Sequence, residues 1–180
     1  MKNIQTGFVT IAIFTASFLS CTSAENEVEK TSSQTNEAKQ VIETKEVAVL
    51  PAFKITGVDG NIVDLQTLKG KKVFVNLWAT WCPPCRAEMP SIKKLHAKLD
   101  TAKVIFIMLS LDDEFEKAKR YATKNKLNLP VYYPTENLPL LFKTQGIPAT
   151  FIFNEKGELI KQNMGAEDYD TGEYLQLLKS

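Results

Sequence analysis

The motif Cys-Pro-Pro-Cys at residues 82–85 places two thiols three positions apart, a spacing at which a disulfide can open and close. An apolar, β-branched run at residues 73–77 precedes the motif and predicts a buried strand. After the motif, Met89, Ile92 and Leu95 recur every three positions, which predicts a helix. The cysteines would therefore stand at a helix N-terminus, where unpaired backbone N–H groups and the helix dipole stabilise a thiolate.

Three residues of this segment can be given chemical roles. Cys82 would lie at or just before the first helical turn, so we assign it as the nucleophile that attacks a client disulfide. Cys85 lies one turn further along nearly the same face and can attack the resulting mixed disulfide, which releases the reduced client. Glu88 lies one more turn down that face, where a partly buried carboxylate could take and return the proton of Cys85.

The same residues allow other interpretations, namely a static disulfide, half of a zinc site and, for Glu88, a solvated helix carboxylate. Structural zinc sites take four ligands, and besides the pair the chain has one more cysteine, Cys21, and one histidine, His96. We therefore expect no metal, and we expect no other cofactor. A static disulfide across two residues would close a very short loop and add little stability, which favours the redox interpretation.

Residues 76–90 resemble the active-site segment of the thioredoxin superfamily, and most closely that of the membrane-anchored TlpA/ResA-like thiol-disulfide oxidoreductases. The resemblance implies an α/β, thioredoxin-like fold with a central mixed sheet flanked by helices on both faces. It also implies that Cys82 attacks, Cys85 resolves and Glu88 assists proton transfer. Asn76 stands where ordinary thioredoxins carry a buried Asp, which fits the anchored branch, where Glu88 would supply the carboxylate instead.

A second functional signal is Ile147-Pro148, directly before a predicted strand at residues 149–153. The residues by themselves favour an ordinary trans bond, because cis is found in about one in twenty X–Pro bonds. The resemblance instead implies a cis bond beside the cysteine pair, with the backbone of Ile147 free to pair with an extended client peptide as an added strand. Trp81, directly before the nucleophile, could shield the sulfurs and offer a flat apolar docking surface.

Several further elements can be predicted around this centre. Residues 53–65 read as a β-hairpin, which resembles the N-terminal addition of the anchored family. A strand at residues 104–109 and a following helix, capped by Asp112 or Asp113, resemble the insertion that distinguishes this branch. Asp170 is predicted to cap a last helix that runs through Leu178. His96 is expected on a solvated helix face.

The N-terminus predicts export. Residues 1–21 carry Lys2, then an apolar stretch too short for a good spanning helix, and end at Cys21 in a sequence that resembles a bacterial lipoprotein signal. Cys21 would become the lipidated first residue of the mature chain; ordinary secretion and an uncleaved anchor are the alternatives. Residues 22–46 are polar and predict a flexible tether, or alternatively a short solvated helix, and residues 47–180 form the predicted thioredoxin-like domain.

Composition narrows the classes of partner. The formal net charge is +1, and loss of the signal segment would remove one base and no acid, so we expect no nucleic acid binding. The family resemblance and the predicted export together imply a cell-envelope oxidoreductase, anchored by lipid on the periplasmic side of a membrane, that reduces disulfide-containing client proteins. The resemblance suggests apocytochromes before haem attachment and other oxidised envelope proteins as clients, and it selects neither. No histidine or basic residue lies between the cysteines to stabilise a thiolate as a powerful oxidant requires. A membrane thiol carrier is the expected electron donor, since no nucleotide-binding signature is present.

Two other functions of thiol proteins fit the sequence less well. Thiol peroxidases of the peroxiredoxin type carry Pro-x-x-x-Thr-x-x-Cys, but Val75 and Ala79 occupy the corresponding positions. Thioredoxin-fold copper chaperones usually pair Cys-x-x-x-Cys with a distant histidine, whereas this spacing is one residue shorter and His96 is the single histidine. Both alternatives therefore rank below disulfide reduction.

Overall fold

The computed structural model describes residues 47–179. The predicted signal segment 1–21, its Cys21 and the predicted tether 22–46 lie outside the described residues. Within the part that the structure describes, no helix is both long enough and apolar enough to cross a membrane.

A mixed β-sheet forms the centre of the described residues. Its strands are β1 (Lys54–Gly57), β2 (Ile62–Asp64), β3 (Lys72–Trp78), β4 (Val104–Ser110), β5 (Val131–Pro134), β6 (Ala149–Phe153) and β7 (Leu159–Met164). The α-helices are α1 (Pro83–Ala97), α2 (Phe115–Lys124) and α3 (Gly172–Lys179), and short 3₁₀ turns cover Leu65–Leu68 and Leu140–Phe142. The strand order is β2-β1-β5-β4-β3-β6-β7, so the predicted α/β architecture with a mixed sheet is present.

Strand β3 lies inside the sheet and leads directly to the cysteine motif. All seven of its residues are buried, which the sequence predicts for the apolar ones and which also includes the polar residues Lys72 and Asn76. It pairs in parallel with β4 and antiparallel with β6, so the strand that precedes the cysteines and the strand that follows Pro148 are neighbours. This pairing brings two segments that are far apart in sequence to the same end of the sheet.

The core has one layer on each face of the sheet, because side chains alternate along β3. One layer holds Phe74 stacked on Phe106, with 4.6 Å between ring centroids, and takes side chains from all three α-helices. The other layer is closed by the 3₁₀ turns and by Phe53, whose ring meets Phe142 edge-on at 6.2 Å. The three α-helices therefore cover one face of the sheet, and the short 3₁₀ helices lie on the other face.

The predicted N-terminal hairpin is confirmed. Strands β1 and β2 pair antiparallel, with Thr56 opposite Ile62, and β1 also pairs with β5. Gly60 has φ +82° in the connecting turn, a conformation that glycine adopts without strain. The second strand ends at Asp64, one residue earlier than expected, because Leu65 begins a 3₁₀ turn.

The predicted cap of α2 is wrong. Glu114 is the N-cap residue, while Asp112 and Asp113 have other partners. Asp112 is buried and accepts hydrogen bonds from Thr80, and Asp113 forms an ion pair with Lys117 at 2.7 Å. Local capping rules fail at this point because donors from another loop and from the helix itself compete for the two carboxylates.

Two further local expectations also differ from the structure. Asp170 lies two residues before the start of α3, so it is not the cap residue, and it pairs with Lys94 and Lys98 of the α1 end instead. His96 is partly buried, with its ring edge-on to Phe106 at 4.9 Å, and burial lowers the pKa of its imidazole. Contacts between distant segments decide both outcomes.

Candidate active site

Cys82 is the N-cap residue of α1. Its backbone is extended, with φ −92° and ψ 103°, and Pro83 and Pro84 occupy the first helical positions, where a missing N–H leaves no helical bond unmade. The backbone N–H of Cys85 donates to Sγ of Cys82 at 3.2 Å. A helix N-terminal N–H directed at this sulfur stabilises a thiolate there, which is the environment a thiol nucleophile requires.

A disulfide joins Cys82 to Cys85, whose Cα atoms are 5.3 Å apart. The two residues differ in accessibility, because Cys82 is 3% exposed and Cys85 is 0% exposed. Of the two residues, only Cys82 has any surface exposed to solvent. This asymmetry fits the expected order, in which Cys82 attacks the client and Cys85 resolves the mixed disulfide.

The Ile147–Pro148 peptide bond is cis, as the family resemblance implies. The carbonyl oxygen of Ile147 lies 3.7 Å from Sγ of Cys82, so the loop before β6 borders the disulfide directly. Trp81 is 63% exposed beside it, and a groove of about 590 Å³ runs between Trp81 and Ile147 with Leu138 and Phe142 in its wall. The three residues expected to contact a client, Trp81, Ile147 and Pro148, are thus brought to the sulfur pair.

Glu88 lies on α1, one turn beyond Cys85, and is 3% exposed. Its Oε1 accepts a hydrogen bond from Nδ2 of Asn76 at 2.7 Å, and its Oε2 accepts one from the backbone N–H of Glu167 at 3.2 Å. Burial raises the pKa of Glu88 to about 7, and the two hydrogen bonds only partly oppose this effect. A carboxyl with this pKa can hold or release a proton near neutral pH. The small exposure of Glu88 shows that it is a buried carboxyl rather than a solvated one.

The raised pKa of Glu88 predicts that the oxidised protein loses stability as pH rises. The pKa is about 7 in the folded state against 4.5 for an ordinary Glu, so between these values the folded state binds more protons than the unfolded state. Stability from this group is complete below the lower value and lost above the higher one, a fall of about 3 kcal/mol. Urea unfolding across this range should show the decline in the parent protein and not in Glu88→Gln.

The control for this prediction is Glu114→Gln, which makes the same substitution at an exposed carboxylate. It should keep the decline of the parent protein. If the unfolding free energy of the parent protein varied as little with pH as that of Glu88→Gln, the assigned pKa would be contradicted.

Sequence reasoning singled out Asn76 but missed its contact with Glu88, and it missed Thr150 and Tyr169. Asn76 Nδ2 also donates to Oγ1 of Thr150 at 2.9 Å, and the hydroxyl of Tyr169 donates to the same oxygen at 2.7 Å. All three side chains are buried among apolar residues. A polar residue within each of two strongly apolar strands, Asn76 in β3 and Thr150 in β6, was the available signal, but only the fold shows that they meet.

The loop at residues 165–170 holds this arrangement from the outside. The backbone N–H of Gly165 donates to the carbonyl of Pro148 at 2.9 Å. Two residues on, the Glu167 N–H reaches the Glu88 carboxylate, and the Tyr169 N–H donates to the Ser91 hydroxyl at 3.1 Å. One loop therefore contacts both the cis-proline and the helix that carries the cysteines.

Asp112 fixes the loop between β3 and α1. It accepts from the backbone N–H of Thr80 at 3.2 Å and from the Thr80 hydroxyl at 2.6 Å, while the Ser110 hydroxyl donates to it at 2.8 Å. Thr80 comes directly before Trp81, so this buried carboxylate positions the segment that presents Trp81 and Cys82. Asp112 is a second site residue that sequence reasoning missed, because it was assigned to a helix cap.

The described residues contain no evident metal site. Within residues 47–179, no group of three or more His, Cys, Asp or Glu side chains is arranged to hold a metal ion. The two sulfurs of the motif are bonded to each other, and the ring of His96 lies against Phe106.

A mixed sheet that presents a cysteine pair at a helix N-terminus, beside a cis-proline, is the architecture of the thioredoxin-like class. Comparison with known families agrees, because the Redoxin family matches residues 45–178. The chain belongs to the Redoxin family.

Individual relatives point to the same chemistry. The chain is 32% identical over 118 residues to Thiol-disulfide oxidoreductase ResA of Bacillus thuringiensis (strain Al Hakam), a match that covers 65% of this chain and 68% of the relative. It is 32% identical over 130 residues to Thioredoxin-like protein YneN of Bacillus subtilis (strain 168), covering 71% of this chain and 76% of that one. A crystal structure of a thiol:disulfide interchange protein, a thioredoxin family protein from Chlorobium tepidum TLS, is similar with a TM-score of 0.61 and 25% identity, covering 74% and 97% of the two chains. These findings confirm the thioredoxin-like fold and the ResA-like resemblance, and they support thiol-disulfide oxidoreductase activity.

Proposed function

We propose that this protein is a thiol-disulfide oxidoreductase of the bacterial cell envelope that reduces disulfides in client proteins. The observation that carries the proposal is the Cys82–Cys85 disulfide at the start of α1, in which Cys82 is the more accessible of the two residues. The reducing direction rests on the two prolines between the cysteines, which add no positive charge to favour the thiolate strongly.

The reaction begins when the Cys82 thiolate attacks one sulfur of the client disulfide and forms a mixed disulfide. The other client sulfur leaves as a thiolate and takes a proton from solvent, which replaces the proton that Cys82 had released. The mixed disulfide holds the client covalently on Cys82 until the second step.

In the second step Glu88 accepts the proton of the Cys85 thiol, and the Cys85 thiolate attacks Sγ of Cys82. The bond from Cys82 to the client breaks, and the client sulfur leaves as a thiolate that takes up the proton held by Glu88. Two electrons and two protons have then passed from the protein dithiol to the client. The burial of Glu88 and its pKa of about 7 support this role, because the carboxyl can exchange a proton near neutral pH.

The proposed client site is the groove between Trp81 and the cis-Ile147–Pro148 bond. An extended client segment paired with the backbone at Ile147 would lie beside Sγ of Cys82, 3.7 Å from the Ile147 carbonyl oxygen. The exposed ring of Trp81 offers apolar contact to residues next to the client cysteine. Apocytochromes before haem attachment, whose Cys-x-x-Cys-His segments form such disulfides, are candidate clients.

The proposed location is the periplasmic side of a membrane, with lipid attached to Cys21 after removal of the signal segment. Residues 22–46 would act as a tether that lets the domain reach clients near the membrane. We expect Cys21→Ser, made in the full chain in its native host, to move the protein from the membrane fraction to the soluble envelope fraction. Cys82→Ser is the matched control and should stay with the membrane; equal membrane retention of both variants would contradict lipid anchoring.

The reduced dithiol of this protein must be regenerated, because each turnover leaves Cys82 and Cys85 joined in a disulfide. We propose a membrane thiol carrier as the electron donor, because the sequence has no signature for binding a nucleotide cofactor. The carrier would attack Sγ of Cys82 from the same groove and reverse the two exchange steps.

Redox titration of the purified protein tests the proposed function. The protein is equilibrated with mixtures of reduced and oxidised dithiothreitol, and free thiols are counted by mass after alkylation. We expect one reversible two-electron transition, and we expect the reduced protein to open the disulfide of a Cys-x-x-Cys-His peptide. A pair that never opens, or opens without reducing the peptide, would reject the proposal.

A further inference from the structure

Asn76 carries a fully buried amide near the middle of β3. Its Nδ2 donates to Oε1 of Glu88 at 2.7 Å and to Oγ1 of Thr150 at 2.9 Å. Its Oδ1 is equally buried and meets no donor among the residues that the structure describes. The orientation of this amide is therefore held only from its nitrogen side, and a buried oxygen without a donor makes that orientation less favourable.

Both partners of Asn76 can reverse their hydrogen-bonding polarity. A charged Glu88 carboxylate can only accept, whereas a protonated Glu88 can donate through its O–H. The Thr150 hydroxyl can also accept or donate, and the Tyr169 hydroxyl donates to it at 2.7 Å. A half-turn of the Asn76 amide would present Oδ1, with its two lone pairs, to the two sites that Nδ2 now serves.

We propose that Asn76 is a positioning residue for Glu88 and that its amide makes this half-turn when Glu88 gains or loses a proton. This inference rests on the proton-transfer role proposed for Glu88. Asn76 donates to the carboxylate before Cys85 gives up its proton, and it accepts from the carboxylic acid afterwards. Glu88 keeps a hydrogen bond in both states, so a proton can enter and leave this core when the Thr150 hydroxyl turns from acceptor to donor toward Asn76.

The other groups around Glu88 do not provide this reversal. Cys85 lies one turn earlier on α1, and Glu167, in the loop after β7, places a second negative charge nearby. The backbone N–H of Glu167 reaches Oε2 at 3.2 Å but can only donate. Burial, and then the charge of Glu88, raise the pKa of the Tyr169 phenol, which therefore stays protonated. Of the two donors to the carboxylate, Asn76 is the one able to serve both protonation states.

Side-chain NMR of the labelled, oxidised full chain tests the half-turn directly. We expect the Asn76 Nδ2 protons to titrate together with the Glu88 carboxyl carbon and to lose their hydrogen-bonded shifts as Glu88 is protonated. In Glu88→Gln the Asn76 signals should be constant from about pH 5 to about pH 9. Asn76 protons that keep their shifts while the Glu88 carbon titrates would overturn the proposal.

The kinetics of an Asn76 variant give a second readout. Asn76→Asp offers an oxygen to Glu88 in either orientation, so two carboxyls share one site and the pH profile of disulfide exchange should shift upward by about one unit or more. Val75→Ala, on the opposite face of β3, is the matched control for lost packing and should leave the profile in place. An unshifted profile in Asn76→Asp would overturn the proposal.

The outcomes distinguish this inference from the function on which it rests. If Glu88→Gln leaves the rate and pH profile of exchange unchanged, the proton-transfer role of Glu88 fails and the inference about Asn76 fails with it. If Glu88→Gln shifts the profile while Asn76→Asp does not, the proposed function stands and only the role of Asn76 is rejected.

Discussion

Replacing Cys82 with serine is expected to lower the rate of client disulfide reduction by about 1,000-fold or more. The reason is access, because the remaining Cys85 is 0% exposed and cannot reach a client disulfide. Serine is a favourable N-cap residue and can accept the Cys85 N–H in place of the sulfur, so α1 should still form. Single-turnover reduction of a disulfide-bonded peptide by the pre-reduced protein, followed by mass spectrometry, measures the loss.

Cys85→Ser is the comparison that separates the two sulfurs in this experiment. It should still consume the peptide disulfide in the first step, since Cys82 is unchanged. If Cys82→Ser reduced the peptide while Cys85→Ser did not, the assignment of nucleophile and resolving cysteine would have to be exchanged.

Cys85→Ser is also expected to hold clients on Cys82 as mixed disulfides, with a lifetime about 100-fold or more longer than in the parent protein. In the parent protein the resolving thiol lies one helical turn away, and its attack is intramolecular. The variant removes that attack, and the small exposure of Cys82 limits attack by other thiols. Capture in native cells, with separation under non-reducing conditions and mass spectrometry, would name the client.

The double variant Cys82→Ser with Cys85→Ser is the control for non-specific capture and should retain no partner. Partners retained equally by the double variant would show that capture does not depend on Cys82. An absence of adducts with Cys85→Ser, both in cells and with the disulfide peptide, would contradict the resolving role of Cys85.

Much of the fold could be predicted because its signals are local. The apolar run that became β3, the cysteine motif that begins α1 and the glycine turn of the β1–β2 hairpin each act over a few residues. The cis bond at Pro148 is different, since its local sequence favours trans, and it was expected only from the family resemblance.

Except at Asp113, which pairs with Lys117 four residues on, the errors come from residues whose partners are distant in sequence. Asp112 and Asp170 are of the residue type that caps helices, but Asp112 accepts hydrogen bonds from Thr80 and Asp170 pairs with lysines at the end of α1. The surroundings of Glu88 show the same effect, because Asn76 comes from β3 and the Glu167 amide from the loop after β7. Capping and periodicity rules describe neighbours in sequence, so they cannot identify such contacts.

The loop at residues 165–170 has a consequence for how this type of protein can diverge. Through backbone N–H groups it contacts Pro148, the Glu88 carboxylate and, at Ser91, the middle of α1. Substitutions that shift this loop would alter the proton affinity of the Glu88 carboxyl while leaving the cysteines and Trp81 unchanged. Relatives could therefore acquire different working pH ranges through a segment that does not line the groove between Trp81 and Ile147.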